Sequence, residues 1–392
     1  MSEITDFDAA IAASRSAFLG FTARCQSAGP EYRLTPAADL SPYARCFGVF
    51  CRTLALEPFP SAANAALAVA IRADVRTIRS RIDPRGKPFR QLLAFSLSSL
   101  SALGALAADP LEDLVDEQIP DDVKGDLDRY GALGGVAGSG NQAMFTAIFL
   151  LHARDHLERD TDDRLQQWVT LHIRHMNRFG FWGHDAGMTH LQFQNGYHQY
   201  EIFEYLQVSN PRMHESVAAV RSLVDPYGHF APYPGGGGCY DYDAVFLLTP
   251  YGALLDDQTR HCLQLTANTL LGEQRSDGGF AESLSVRPRN VDSFTRLVGH
   301  IARSRGNARL FVERLRYGLA VQRPKHDRIQ THWSEYSRRW DESDLWDAWF
   351  RMMTVARIQI AFNPEKASAW GFIDYPGIGH HPRMRPGAPS PR

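Results

Sequence analysis

Between Thr189 and Gln207 the chain reads THLQFQNGYHQYEIFEYLQ, with polar groups crowded among aromatics at helical spacing. His190, Gln194, Tyr197 and Glu201 recur at intervals of four, three and four and so share one helix face. Asn195, His198 and Gln199 make the adjoining face. A hydrogen-bond network bracing neighbouring helices would use some of these groups. So many in one buried helix point to a cavity wall. The second concentration is YGHFAPYPGGGGCYDYDAVFLL (227–248), where Cys239, Tyr240, Asp241, Tyr242 and Asp243 open a helix behind four glycines. A single Asp there needs no role beyond offsetting the positive helix end. Two, beside a Cys and two Tyr, suit acid–base chemistry, provided burial or a neighbouring charge keeps one of them protonated. Asn141 in GSGNQAMF (138–145) and Asn290, Asp292 and Arg296 in RPRNVDSFTR (287–296) stand at comparable places. Asp344 and Asp347 in WDESDLWDAW (340–349) read equally well as a capped, solvated face.

Helices must position these groups, because apolar residues recur at three and four through most of the chain and no strand-rich block interrupts them. Capping residues mark helix starts at Ser61, Asp109-Pro110, Thr161, Asn210-Pro211, Asp256 and Asn307, at intervals of 48, 52, 49, 46 and 51. About 20 residues after most starts comes a glycine turn, as in DPRG (83–86), RYG (129–131), RFGF (178–181), PYGHF (226–230) and SDGGF (276–280). Six helix–turn–helix units of this length predict an all-α (α/α)6 toroid, with inner helices starting near 88, 140, 189, 239, 291 and 343. A stacked solenoid is the competitor, but its repeats are shorter. Residues 1–60 hold two extra N-terminal helices, expected across an outside face; 61–378 form the toroid, and the Pro-rich 379–392 a disordered tail. His190, Gln194, His198, Asp241, Asp243 and Asp292 are expected to share one central pocket.

Composition is that of an ordinary globular chain: 392 residues, 44% apolar, 22% charged, net charge −2. Near-zero charge leaves no footprint for nucleic acid, and 38 of the 42 basic residues are Arg. No run of 18 apolar residues suggests a membrane span, and MSEITDFDAA lacks the pattern of a secretory signal, so a cytoplasmic location is expected. Five scattered cysteines form no CxxC pair and predict neither disulfides nor a zinc ribbon.

With six αα units, the turns PYGHF and SDGGF, and CYDYDAVFLL opening an inner helix, the chain resembles the α/α-toroid superfamily over roughly residues 61–375. Its members include terpene cyclases of the squalene-cyclase type and the protein prenyltransferase β subunit. Class II cyclases carry an Asp-x-Asp-Asp motif whose middle Asp protonates an alkene. Asp241-Tyr242-Asp243-Ala244 matches three of those four positions, with Ala244 at the last. The resemblance implies a small-molecule cyclase or isomerase acting on an apolar substrate, with Asp243 as the acid, Asp241 second, and His198 orienting the acid or recovering the proton. His190, Gln194, Asn195, Tyr197, Glu201, Tyr240, Cys239, Asn290, Asp292, Arg296 and Asn141 would then line the substrate site. Prenyltransferases hold zinc with Asp-x-Cys and a distant His; here Cys239-x-Asp241 reverses the order, so no metal is expected. No DDxxD motif appears, DDQTR (256–260) being a helix cap, and magnesium would enter only with a diphosphate substrate. The same toroid hosts glycosidases, polysaccharide lyases and sugar epimerases, for which Asp241 or Asp243 opposite Glu201 or Asp292 would serve as the acid–base pair. A non-catalytic binding scaffold is the third reading.

Overall fold

Helices begin where the sequence supplies a side-chain acceptor for an orphan N–H. The oxygens of Ser41, Thr189, Asp256 and Asn307 accept from the backbone N–H three residues on, at 3.0, 3.3, 2.6 and 3.0 Å. A computed structural model describes residues 7–251, 255–284, 291–304, 306–322 and 341–382, with Asp292 and Ser293 as backbone only. The order is α1 (Phe7–Cys25), α2 (Pro42–Leu54), α3 (Ser61–Arg79), α4 (Lys87–Ala102), α5 (Glu112–Asp116), α6 (Val123–Tyr130), α7 (Ser139–Leu157), α8 (Asp162–Arg174), α9 (His190–Leu206), α10 (Met213–Arg221), α11 (Gly238–Leu248) and α12 (Asp257–Gly272). Then come β1 (Phe280–Ala281), α13 (Val291–Ala302), α14 (Ala308–Ala320), β2 (Ser343–Asp344) and α15 (Leu345–Phe362). The reversals between paired helices are tight. At Gly228 φ is +89°, and a Cβ there would sit 2.8 Å from the Thr266 backbone, so only glycine fits.

Six helices close an inner ring, each packed against the next in the order α2, α4, α7, α9, α11, α15 and back to α2. The α2 seam is aromatic: Phe50 stacks on Trp349 at 4.8 Å, and Phe47 meets Phe95 and Trp349 edge-on. Outer helices cover the ring from α1, α3, α5–α6, α8, α10 and α12, the last packed on α15. This is the expected all-α toroid of six helix pairs, and the starts expected near 88, 140, 189, 239, 291 and 343 fall within two residues of observed helix starts.

Three assignments change. Residues 41–57, expected on an outside face, supply the inner helix α2, ten of whose thirteen residues are buried. The helix starting at 291, expected inside, stands outside as the hairpin α13–α14, with Val291, Phe294 and Val298 exposed. The reason is an insertion. Between α11 and α15 the starts are 107 residues apart, whereas successive inner helices elsewhere start 45 to 52 apart. The inserted chain leaves and returns through a two-residue antiparallel ribbon, Phe280 opposite Asp344 and Ala281 opposite Ser343. At the C-terminus, His380 and His381 are buried, and His380 bridges to Ile373, so the packed chain runs past the expected tail boundary at 379. Residues 383–392 lie outside the described ones.

Candidate functional site

All six inner helices contribute residues from their N-terminal halves to the wall of one cavity of about 630 Å³. Its wall is aromatic: Tyr43 from α2, Tyr197 from α9, Tyr240 from α11, and Trp346 and Phe350 from α15, with Tyr317 of α14 reaching in from the hairpin. Tyr43 stacks on Trp346 at 5.8 Å, and Trp346 packs on Phe350 at 4.9 Å. Polar groups interrupt this wall at Lys87, Gln91, Asn141, Gln194, His198, Asp243 and Glu282. The mouth adjoins an outer groove beneath α14, lined among others by Leu191, Val312 and Glu313, which shares Tyr317 and Ala320 with the cavity.

Asp243 is 1% exposed, lines the cavity, and neither carboxyl oxygen has a hydrogen-bond partner. Burial holds its pKa well above the carboxylate range, with repulsion from Glu201 and then Asp241 adding to it. An ionised carboxylate so placed is costly, so the group stays protonated. Beneath it Glu201 is buried and likewise raised by burial, and it accepts from the Tyr197 hydroxyl. His198 is held at Nε2 by the Asn141 amide (2.9 Å), while Nδ1 faces Glu201 Oε2 at 3.9 Å. That approach is no ion pair: burial, and then Lys87, pull His198 down to about 3, while Glu201 is pushed up, leaving both neutral.

Asp241 turns the other way. Its Oδ1 accepts from the Phe230 N–H at 2.8 Å, and its Oδ2 faces His229 Nδ1 at 3.3 Å and the Arg351 guanidinium at 3.7 Å. Glu273 completes the group, 3.1 Å from His229 and 3.1 Å from Arg351. Burial alone would lower His229, but Glu273 and Asp241 override it and hold the imidazole well above its usual pKa. The glycine run passes close to side chains: a Cβ on Gly236 would stand 2.4 Å from Asp241 Oδ2, and one on Gly238 would stand 2.8 Å from Asp347 Oδ1. The run meets protein rather than ligand.

Of the candidates read from sequence, Asp243, His198, Gln194, Tyr197, Tyr240, Cys239 and Asn141 line the cavity. Asp241, His190, Asn195, Glu201 and Arg296 do not. His190 bonds the Phe230 carbonyl through Nδ1 and accepts from Arg314 of α14 through Nε2, while Glu313 caps the α9 N–H groups of His190 and Leu191. Asn195 braces the start of α7 through Gly138 N–H and Val136 C=O. Arg296 lies over the Tyr227 ring, 4.4 Å from its centre. Asn290 and the Asp292 side chain lie outside the described residues. Sequence reasoning passed over Lys87, Tyr43, Trp346, Phe350, Tyr317 and Glu282 in the cavity, and His229 and Arg351 behind it. His229 was visible only as part of a turn; Arg351, an Arg in LWDAWFRMM, apolar but for Asp347, was the stronger missed signal. Among the described residues no three His, Cys, Asp or Glu side chains gather as a metal site. No described helix is long and apolar enough to cross a membrane.

The closed ring of inner helices, with its sites at one end, is the α/α toroid fold of the terpene cyclases. Among solved structures, the chain is similar to the type II terpene cyclase MstE from Scytonema, without ligand, at TM-score 0.50 and 14% identity, covering 91% of this chain and 99% of that one. A variant of MstE in complex with its substrate geranylgeranyl dihydroxybenzoate gives the same score and identity, covering 90% and 97%. No protein-family profile and no curated protein sequence matches the chain.

Proposed function

We propose that this protein is a type II terpene-cyclase-like enzyme that starts cyclisation or isomerisation of an isoprenoid by protonating it from Asp243. The observation that carries the reading is a buried, unpartnered, neutral carboxyl facing an aromatic-walled cavity. A cavity near 630 Å³ suits a small-molecule ligand, since such sites span about 300–1,000 Å³. MstE, whose fold the chain shares, binds an isoprenoid chain joined to an aromatic acid.

In the first step the Asp243 O–H bond breaks and its proton passes to an alkene carbon. The alkene π pair forms the new C–H bond, leaving a cation on the substrate and a carboxylate on Asp243. The faces of Tyr43, Trp346, Phe350, Tyr240 and Tyr197 can stabilise that cation as it moves along the substrate through successive ring closures. Loss of a substrate proton to water at the cavity mouth then ends the reaction, and a proton returned from that water restores the Asp243 O–H bond. His198, neutral and held by Asn141, suits orienting substrate and acid better than accepting protons. Asp241, committed to the His229–Glu273–Arg351 cluster, suits a positioning role: its charge helps to keep Asp243 protonated.

The test is incubation with C15 and C20 isoprenoids, both free and joined to aromatic acids, with products read by mass spectrometry. Asp243→Asn should lower turnover by about 10²–10⁴-fold while the chain stays folded. Full turnover in Asp243→Asn, or turnover of a soluble oligosaccharide with none of isoprenoids, overturns the reading.

A further inference from the structure

A ring of helices is open at both ends. At the mouth, Tyr317, Ala320 and Val321 of the inserted chain border the cavity. At the far end, where the inner helices finish, the closure comes from the chain beyond α15. Residues 375–381 are all buried, although none lies in a helix. Irregular segments ordinarily run over the surface, because buried backbone polar groups must find partners. Here they find them. The Ile373 N–H donates to the Gly379 carbonyl at 2.9 Å, the His380 N–H to the Gly377 carbonyl at 3.1 Å, and the Gly371 N–H to the Leu54 carbonyl at the end of α2 at 3.0 Å.

The ring holds this segment from several sides. The Tyr375 hydroxyl meets Nδ1 of His152, in α7, at 3.0 Å, and the His380 ring packs 4.9 Å from Tyr205 in the last turn of α9. From there the chain reaches up between the helices. A Cβ on Gly377 would stand 2.7 Å from the Ile148 side chain of α7, and one on Gly379 would stand 3.1 Å from the Trp349 ring of α15. Glycine on both sides lets the backbone pass this close. The side chain between them, Ile378, reaches the cavity, and among the described residues it is the only lining residue from beyond α15. Asp243 and Phe350, the sixth residues of α11 and α15, and His198, the ninth of α9, are the furthest along their helices to line the cavity. Ile148, His152 and Tyr205, further along, meet the C-terminal segment instead.

We infer that the C-terminal segment is a plug whose Ile378 side chain sets how far a substrate chain can enter the ring, and so selects substrates by length. This rests on reading the cavity as the substrate site. It goes further by naming the residue at which the apolar end of the substrate stops. The wall at that depth is otherwise polar or aromatic, from Asp243, His198, Tyr197 and Phe350, so Ile378 presents the aliphatic contact there. Its β-branched side chain is stiff at χ1, and the backbone on either side is packed against Ile148 and Trp349. It is therefore a fixed stop and not a yielding one.

Binding of unbranched alcohols tests it independently of turnover. Straight-chain 1-alkanols of increasing length are titrated into the full chain by calorimetry. Affinity should rise about fourfold with each added carbon until the chain meets the plug, and then level off. Ile378→Ala removes three side-chain carbons and should move that break about two to three carbons longer; Ile378→Phe adds three and should move it about as far the other way. Ile378→Val, one carbon smaller, gives a graded step and keeps the test open should a larger change fail to fold. The ratio of C20 to C15 isoprenoid turnover should move in the same directions, by about tenfold. A break at the same length in wild type, Ile378→Val and Ile378→Ala, a shift of Ile378→Ala and Ile378→Phe in one common direction, or no alkanol binding at all overturns the plug. If the break moves as expected but no isoprenoid is turned over, the chemistry falls and the plug stands. If isoprenoids cyclise through Asp243 while the break stays where it was in every variant, the plug falls and the chemistry stands.

Discussion

Asp241 and Asp243 are two residues apart on one helix, and their surroundings are opposites. Behind Asp241 lies an ionic wall in which His229, Glu273 and Arg351 face one another. Around Asp243 lies a neutral floor of Glu201, Tyr197 and His198, with carboxyl oxygens left without partners. The cause is rotation: two residues on an α-helix turn about 200°, so side chains at i and i+2 face nearly opposite ways. One looks out of the ring into the α10–α11 turn, the other into the cavity. The same side chain is a charged member of an ion cluster or a neutral, unpartnered carboxyl according to which way it faces.

The largest test of that contrast is a reversal of effects between two variants. Asp243→Asn should cost about 10²–10⁴ in turnover and leave the melting temperature unchanged or higher. Asp241→Asn should instead cost about 3–5 kcal/mol of stability, because it leaves His229 and Arg351 short of an acceptor, read as a lower denaturation midpoint. If both variants lose turnover equally and neither loses stability, the two walls are not different in kind.

Arg351→Met probes the ionic wall from its other side. It strands Glu273 and Asp241 and should destabilise by a similar few kcal/mol, about 3–5. The double variant Asp241→Asn/Arg351→Met should cost less than the sum of the two, as residues of one network do.

Next in size is pH. Asp243, Glu201 and His229 all have folded pKa values raised above their unfolded ones. Their contribution is therefore complete below the unfolded values and lost as pH rises through the folded ones. On the acid side, His152 at about 4 and His172, His198 and His300 at about 3 are buried neutral. Their contribution is present above about 6.5 and fades as pH falls toward those values. Melting temperature plotted against pH should drop at both ends, and Asp243→Asn should soften the alkaline drop alone. An alkaline limb identical in the variant would show that the floor does not hold Asp243 protonated.

The smallest effect belongs to Glu313→Ala. Removing the acceptor from the first N–H groups of α9 should cost about 1 kcal/mol in thermal or chemical unfolding.

Local chemistry made much of this legible in the sequence. Asp256 and Asn307 cap their helices where the capping pattern places them, and the glycine turns fall between paired helices. Ring membership was not legible, because it is decided by packing at long range. The insertion is close to one repeat long, so 291 and 343 kept the phase of inner helices although α13 has left the ring. The start of α2, Ser41-Pro42, carries the same capping signature as the later units but precedes Ser61, from which the repeat is counted. At the site, the crowded polar faces of α9 and α11 were readable as a cluster. What each group does was not: His190 and Asn195 sit among cavity residues in sequence but spend their bonds on Arg314, Phe230, Gly138 and Val136. Lys87 is a single residue at a helix start, and nothing in its spacing separates it from a solvated lysine.

The ribbon formed by Phe280–Ala281 and Ser343–Asp344 brings the two ends of the inserted chain side by side. The ring is therefore continuous without α13 and α14, and whatever lies between those strands can change length at small entropic cost, about 0.6 kcal/mol per doubling. Asp243 and its floor belong to the ring; Tyr317 and Ala320, which the cavity shares with the groove outside, belong to the inserted piece. The wall around Asp243 is thus built by the ring, and part of the doorway by a piece that the ring does not need. Changes confined to the inserted piece can reshape the entrance to the cavity while Asp243 and its neighbours stay as they are.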